Sequence, residues 1–181
     1  MADENDHPGS SGLESREPTV TDLCALCREL NARDARYVVI GGFAMAALGY
    51  NRRTMDIDLL VDTSGDNESR VLEAISTLPD GAAREIKPGE IHEWTLIRVG
   101  EEIVVDLMKS ACGVDFIQAQ NEIEIRDVDG VPIPFASANL LWRMKAFTHR
   151  EKDIPDLGFL REWFKSRGRV PPQELIPGRI D

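Results

Sequence analysis

The spacing of apolar positions along the chain alternates between a helical and a strand period. Five segments have a helical pattern or strong helix formers: residues 19–30, 43–50, 64–78, 137–150 and 153–164. Short β-branched or alternating runs predict strands at residues 36–40, 55–62, 92–99, 102–108 and 122–135. The last of these contains Asp129-Gly130 and the pair before it is joined at Gly100, so two hairpins are expected. His92 is predicted to begin a strand.

This order of elements predicts an α/β (α+β) fold. We expect a mixed β-sheet flanked by helices, with C-terminal helices packed on it. The predicted organisation is a disordered acidic tail over residues 1–18, a core over 19–136, C-terminal helices over 137–168 and a tail over 169–181.

The net charge and the composition limit the binding partners that we expect. The 181 residues carry a net charge of −11, which argues against extended nucleic-acid binding, since such proteins normally present a basic stripe. The first residues lack the basic and apolar parts of a signal peptide, and no apolar run is long enough for a membrane span. We therefore expect a soluble, cytoplasmic protein with no membrane partner.

The three cysteines give no clear site. Cys24 and Cys27 form a C-x-x-C pair in the first predicted helix, but no second pair follows to complete a zinc site. We predict two half-buried helix thiols in a reducing compartment. His92 and His149 are predicted as surface or packing residues.

Two aspartates lie one residue apart in the strand predicted over residues 55–62. Because side chains alternate between faces, Asp56 and Asp58 point the same way. Two neighbouring carboxylates raise each other's pKa unless a cation compensates, and a magnesium or manganese ion does so. Strand ends with two aspartates are also common without a metal. Asp62 shares this face and is predicted to be a solvated strand end.

A third carboxylate, Asp106, follows Ile103, Val104 and Val105 in another predicted strand. A buried ionised group is costly unless it is paired or bound to a metal. If this strand is next to the Asp56 strand, three carboxylates converge and could hold two metal ions for an in-line phosphoryl displacement. The alternative is that Asp106 caps the sheet edge or pairs with an arginine.

Gly41-Gly42 lies where a predicted strand leads into a helix. Without side chains, this backbone could approach a phosphate at the helix N-terminus, although a tight turn without a ligand also explains the pair. Arg52 and Arg53 precede the carboxylate strand, where an arginine could pair with phosphate or with the aspartates. One of the two is expected to be merely exposed.

These residues together resemble the signature of the polymerase-beta-type nucleotidyltransferase superfamily. The chain reads Ile40-Gly41-Gly42, then thirteen residues, then Asp56-Ile57-Asp58-Leu59. The form R-x-T-x-D-I-D-L resembles the small bacterial branch, with aminoglycoside nucleotidyltransferases and those of toxin–antitoxin and abortive-infection systems. The run LLWRMKAFTHREKDIPDLGFL resembles the terminal helices of that branch.

The resemblance implies a metal-dependent nucleotidyltransferase of bacterial type. It implies that Asp56, Asp58 and Asp106 are catalytic and hold Mg²⁺ or Mn²⁺, with two ions expected. It implies nucleotide binding, with ATP among the candidate nucleotides, by six residues: Gly41, Gly42, Arg52, Thr54, Lys145 and Arg150. Asp153 and Asp156 match the C-terminal motif, without an assigned role.

The partners implied are a nucleoside triphosphate and a hydroxyl acceptor, which could be a small molecule, a protein or an RNA end. A protein partner is also conceivable, as in toxin–antitoxin pairs. Two other functions stay open: a non-catalytic nucleotide-binding or regulatory relative, and a metal-dependent phosphohydrolase. The Gly-Gly spacing favours the transferase.

Overall fold

The structure, a computed structural model, describes residues 15–79, 81–100, 102–148 and 150–172. Seven α-helices lie in this part of the chain: α1 Val20–Ala32, α2 Gly41–Ala47, α3 Asn67–Ile75, α4 Glu90–Glu93, α5 Phe116–Ala119, α6 Ala138–Thr148 and α7 Ile154–Lys165. The eight strands are β1 Tyr37–Val39, β2 Asp56–Val61, β3 Leu96–Gly100, β4 Val104–Met108, β5 Ser110–Ala111, β6 Val114–Asp115, β7 Ile123–Val128 and β8 Val131–Ala136. The fold is α/β, as predicted.

Six strands form one mixed sheet in the order β3-β4-β2-β1-β8-β7, and β5 pairs with β6 separately. Strands β2 and β4 are parallel, as are β1 and β8, whereas the other neighbours in the large sheet are antiparallel. Every residue of β1 is buried, so the middle of the sheet is covered on both faces, as expected for a strand between two layers. Strands β3 and β7 form its edges.

Local sequence signals explain several element boundaries. Thr19 caps α1 in a reciprocal capping box with Asp22. Ser137 accepts a hydrogen bond from the amide of Leu140 at the start of α6. Both predicted hairpins are confirmed, as β3 pairs with β4 and β7 with β8 in antiparallel register.

The C-terminal helices pack on the core. Helix α6 contacts α7, α2 and β8, and Phe159 of α7 stacks on Tyr50 with ring centroids 4.6 Å apart. Trp142 is buried and meets Phe164 edge-on, so the two rings pack in the interior between α6 and α7. None of the helices in the described segments is both long and apolar enough to pass through a bilayer.

Three local predictions are wrong. His92 lies in α4 and does not begin a strand, because the strand starts only at Leu96. Cys24 and Cys27 are fully buried rather than half-buried, at 4% and 0% exposure, because α1 turns this face towards the core. Both thiols have raised pKa values through burial, which suits packing groups better than reactive ones.

Asp62 is also not a solvated strand end. Its exposure is 3%, and its carboxylate accepts hydrogen bonds from the amide and hydroxyl of Ser64 while pairing with Arg36. It therefore ties the end of β2 to the following turn. Most of the predicted tails, residues 1–14 and 173–181, and His149 lie outside the described residues.

Candidate metal centre

The three predicted carboxylates meet on two adjacent parallel strands. Asp58 of β2 is directly opposite Asp106 of β4. Asp56 lies two residues before Asp58 in β2 and therefore on the same face of the strand. One carboxylate oxygen from each lies within 4.8 Å of the others. Asp106 is buried, while Asp56 and Asp58 are half-buried, so the group is open on one side.

Gly41 makes room for one of these carboxylates. A Cβ at residue 41 would lie 1.9 Å from Oδ2 of Asp58, and the residue has a φ of +62°. Only glycine fits such a backbone without strain and leaves this space empty. Gly41 thus allows the first turn of α2 to lie against the β2 carboxylate.

Gly42 allows a second close approach. A Cβ there would lie 2.3 Å from Oγ1 of Thr54, whose hydroxyl donates to the carbonyl of Asp56 at 3.0 Å. The amide of Gly42 hydrogen-bonds the carboxylate of Asp58. Both glycines therefore have a structural reason in the close approach of neighbouring side chains.

The carboxylates carry an electrostatic cost. Burial, followed by the charges of Asp56 and Asp106, raises the pKa of Asp58 to about 7, against the opposing effects of the Gly42 amide and Lys145. Burial and Asp106 also raise the pKa of Asp56. A divalent cation would remove this cost, and three carboxylate oxygens are ligands that magnesium and manganese accept. The residues present therefore fit such an ion.

Arg98, which was not among the predicted site residues, reaches into this group from β3. Its Nε and Nη2 atoms donate to the two carboxylate oxygens of Asp106 at 2.8 and 2.7 Å. Nη2 also lies 3.2 Å from Oδ2 of Asp56. The arginine pairing considered as an alternative for Asp106 therefore exists beside the converging carboxylates.

A signal for Arg98 is present in the sequence. In the hairpin of β3 and β4, Gly100 pairs with Val104, so Arg98 pairs with Asp106. Cross-strand partners have neighbouring side chains on one face. Once this register is fixed, an arginine lies directly opposite the third carboxylate.

A second ionic cluster lies next to the carboxylates. Lys145 of α6 contacts Asp153 at 3.0 Å and Asp156 at 2.5 Å. Asp156 is 1% exposed and also pairs with Arg52 at 3.4 Å. This gives Asp153 and Asp156 a structural role that the sequence left open: they hold Lys145 and Arg52 beside the carboxylates.

The other predicted arginines differ in position. Arg150 is exposed beside the carboxylates together with Lys152, and neither side chain has a hydrogen bond or ion pair within the described part of the chain. Arg53 has an 84% exposed side chain that pairs with Glu17, in agreement with the expectation that one of the two adjacent arginines is exposed.

A cavity of about 480 Å³ brings these groups together. It is lined by four carboxylates, five cations and a small polar and apolar set: Asp56, Asp58, Asp106, Asp153, Arg52, Arg98, Lys145, Arg150, Lys152, Ile40, Gly41, Thr95, Leu96, Met108, Ser110, Ala111, Cys112, Leu141 and Met144. Such a mixture can bind a metal ion and a polyanion side by side.

No protein-family model matches the chain, and no curated protein matches it significantly. Among solved structures, it is similar to an antigenic nucleotidyltransferase-like protein from Paracoccidioides brasiliensis, with 16% identity, a TM-score of 0.49, and coverage of 78% of this chain and 74% of that one. It is also similar to the antibiotic-resistance factor ANT(2'')-Ia, with 14% identity, a TM-score of 0.45, and coverage of 83% and 95%.

Proposed function

We propose that the protein is a metal-dependent nucleotidyltransferase, which transfers a nucleoside monophosphate from a nucleoside triphosphate to a hydroxyl acceptor and releases pyrophosphate. The observation that carries this proposal is the convergence of Asp56, Asp58 and Asp106, with oxygens within 4.8 Å of one another, in a cavity that also contains cations. Phosphoryl transfer depends mainly on positioning and charge neutralisation, and this set of groups supplies both.

The carboxylates have two tasks in this proposal, metal ligation and proton acceptance. Asp56 and Asp58 would ligate the magnesium or manganese ions, two of which are expected, and Asp106 would ligate the ion on the acceptor side. The bound ions would neutralise charge on the reacting phosphate and lower the pKa of the attacking hydroxyl. Asp106 would accept the proton of that hydroxyl.

The neighbouring cations would hold the triphosphate. Lys145 and Arg52 are fixed by Asp156, so little side-chain entropy would be lost when they contact phosphate oxygens. Arg150 would contribute a further charge from the rim. Gly41, Gly42 and Thr54 would act by keeping the start of α2 close to Asp58, which leaves the phosphates in contact with its first turn.

The acceptor and the nucleotide base stay unassigned in this proposal. A small molecule, a protein or an RNA end could present the hydroxyl, and a partner protein could regulate the site. A cytoplasmic location fits the need for nucleoside triphosphates, and the three cysteines are free thiols, which a reducing compartment preserves.

One observation favours a second function, a non-catalytic nucleotide-binding module. Arg98 occupies both carboxylate oxygens of Asp106, and a permanent pair of this kind would remove the third metal ligand. In such a module Asp56, Asp58 and the cation cluster could still bind a nucleotide without transferring it.

Incubation with nucleoside triphosphates labelled at the α-phosphate, magnesium and a cell lysate tests the proposal. We expect the wild-type protein to transfer the label to an acceptor and Asp106→Asn to transfer none. Bound label without transfer would favour the non-catalytic module. Conversion of the triphosphate to free labelled nucleoside mono- or diphosphate, with no labelled acceptor, would favour a phosphohydrolase instead. The surface variant Glu73→Gln should behave as wild type, because Glu73 is exposed on α3 and does not line the cavity of the carboxylates.

A further inference from the structure

The positive charge of Arg98 lies between two of the proposed metal ligands, Asp56 and Asp106. Its guanidinium contacts Asp106 at 2.7 Å and Asp56 at 3.2 Å through the same nitrogen, Nη2. A guanidinium is protonated throughout the ordinary pH range, so this side chain carries its positive charge whether or not it is paired. Arg98 therefore acts as the counter-ion of the carboxylate group.

We propose that Arg98 and a divalent metal ion compete for Asp56 and Asp106, so that Arg98 sets the metal affinity of the site. The inference rests on the proposed function for the metal site, but it concerns a residue to which that function gives no part. With Arg98 docked, the carboxylates have reduced affinity for a metal. With the metal bound, Arg98 leaves the carboxylates.

The competition follows from charge and from geometry. A guanidinium and a divalent ion that share the oxygens of one carboxylate pair repel each other in a partly buried site. The fork of Arg98 uses both oxygens of Asp106, which is the strong bidentate form of this pair. A divalent ion ligated by Asp106 would draw charge from these same oxygens and place a like charge beside the guanidinium, so it would weaken this bidentate pair.

Arg98 can leave without disturbing the core. Its side chain is 58% exposed, and it belongs to β3, which lies at an edge of the sheet and pairs with β4. The side chain can therefore rotate into the solvent or towards a bound anion while the backbone pairing with β4 remains. A buried arginine on a central strand would not have this freedom.

Titration of the purified protein with Mn²⁺ alone, followed by calorimetry or by the free-ion electron paramagnetic resonance signal, tests this inference. Arg98→Met should bind Mn²⁺ at least about tenfold more tightly than wild type, because a competing charge is removed. Arg98→Lys should lie between the two, since a lysine retains the charge but loses the fork. In chelator, Arg98→Met should melt below wild type, and Mn²⁺ should raise its melting temperature by more.

Arg53→Met is the matched control, because Arg53 is an exposed arginine that pairs with Glu17 and not with the carboxylates. It should bind Mn²⁺ as wild type does. Equal or weaker Mn²⁺ binding by Arg98→Met than by wild type would overturn the inference while leaving the metal site intact. If neither wild type nor Arg98→Met bound Mn²⁺, the metal-dependent function would fail as well, and the two failures are thus distinguishable.

Discussion

Asp58 and Gly41 approach so closely that residue 41 has no space for a side chain. A Cβ there would lie 1.9 Å from Oδ2 of Asp58, and the amide of the next residue, Gly42, bonds the same carboxylate. The start of α2 and the middle of β2 are thus joined at one carboxylate. This contact explains why a glycine, and not a larger residue, occupies position 41.

Gly41→Ala should therefore destabilise the protein and displace Asp58. We expect a loss of at least about 2 kcal/mol in the free energy of unfolding, from backbone strain at φ +62° and from the clash with the carboxylate. Gly49→Ala is the matched control, because its φ is +98° and no atom lies within 4 Å of its Cβ. Denaturant unfolding measures both. Equal losses would mean that the contact with Asp58 contributes nothing.

Stability without metal should depend on pH through Asp58. Its folded pKa of about 7 lies above the ordinary value of 3.8, so the unfolded state releases its proton first as the pH rises. The free energy of unfolding should then decrease as the pH rises from 3.8 to about 7. The total decrease should be at most about 4 kcal/mol, since one pKa unit corresponds to about 1.4 kcal/mol. Asp58→Asn should remove this part of the slope in chelator. An unchanged slope would contradict the raised pKa.

Asp156 should be essential to stability in the second ionic cluster. Asp156→Asn removes the carboxylate that pairs with Arg52 and one of the two that pair with Lys145, and we expect a loss of about 3 kcal/mol in the free energy of unfolding. Thermal and denaturant unfolding measure it. Glu162→Gln, on the same helix, removes an exposed pair with Lys165 and should change stability by less than about 0.5 kcal/mol. Similar effects of the two variants would argue against the cluster as a fixed element.

Arg150 should contribute to triphosphate binding from the rim of the cavity. Arg150→Met is expected to weaken binding of a magnesium–nucleotide complex about tenfold, because one charged hydrogen bond contributes roughly 1.5 kcal/mol. Arg53→Met is again the control, since Arg53 pairs with Glu17 on the surface. Calorimetric titration gives both affinities. No difference between the two variants would remove Arg150 from the predicted nucleotide-binding set.

The sequence predicted the carboxylate group well because its cause is local. Alternation along β2 placed Asp56 and Asp58 on one face, and an ionised residue inside an apolar run marked Asp106. Their meeting required only that β2 and β4 be neighbours, which the sheet confirms. Asp129-Gly130 predicted its hairpin for an equally local reason, because both residues adopt positive φ.

The rest depended on contacts between distant parts of the chain. Asp62 looked like a solvated strand end because nothing in its neighbourhood announces that Arg36 will cover it. The role of Asp156 needed the packing of α7 against the segment before β2, 104 residues earlier. Arg98 is an intermediate case, since it could have been found from the hairpin register but not from residue spacing alone.

The most direct test of the central claim is the melting temperature of the protein with magnesium and each of the four nucleoside triphosphates. Wild type should be stabilised by roughly 5–10 °C at a ligand concentration about 100 times the dissociation constant, and only when magnesium is present. The double variant Asp56→Asn/Asp58→Asn should show no shift, and Glu73→Gln should shift as wild type does. No shift in wild type with any nucleotide, or an equal shift in the double variant, would contradict a metal–triphosphate site at these carboxylates.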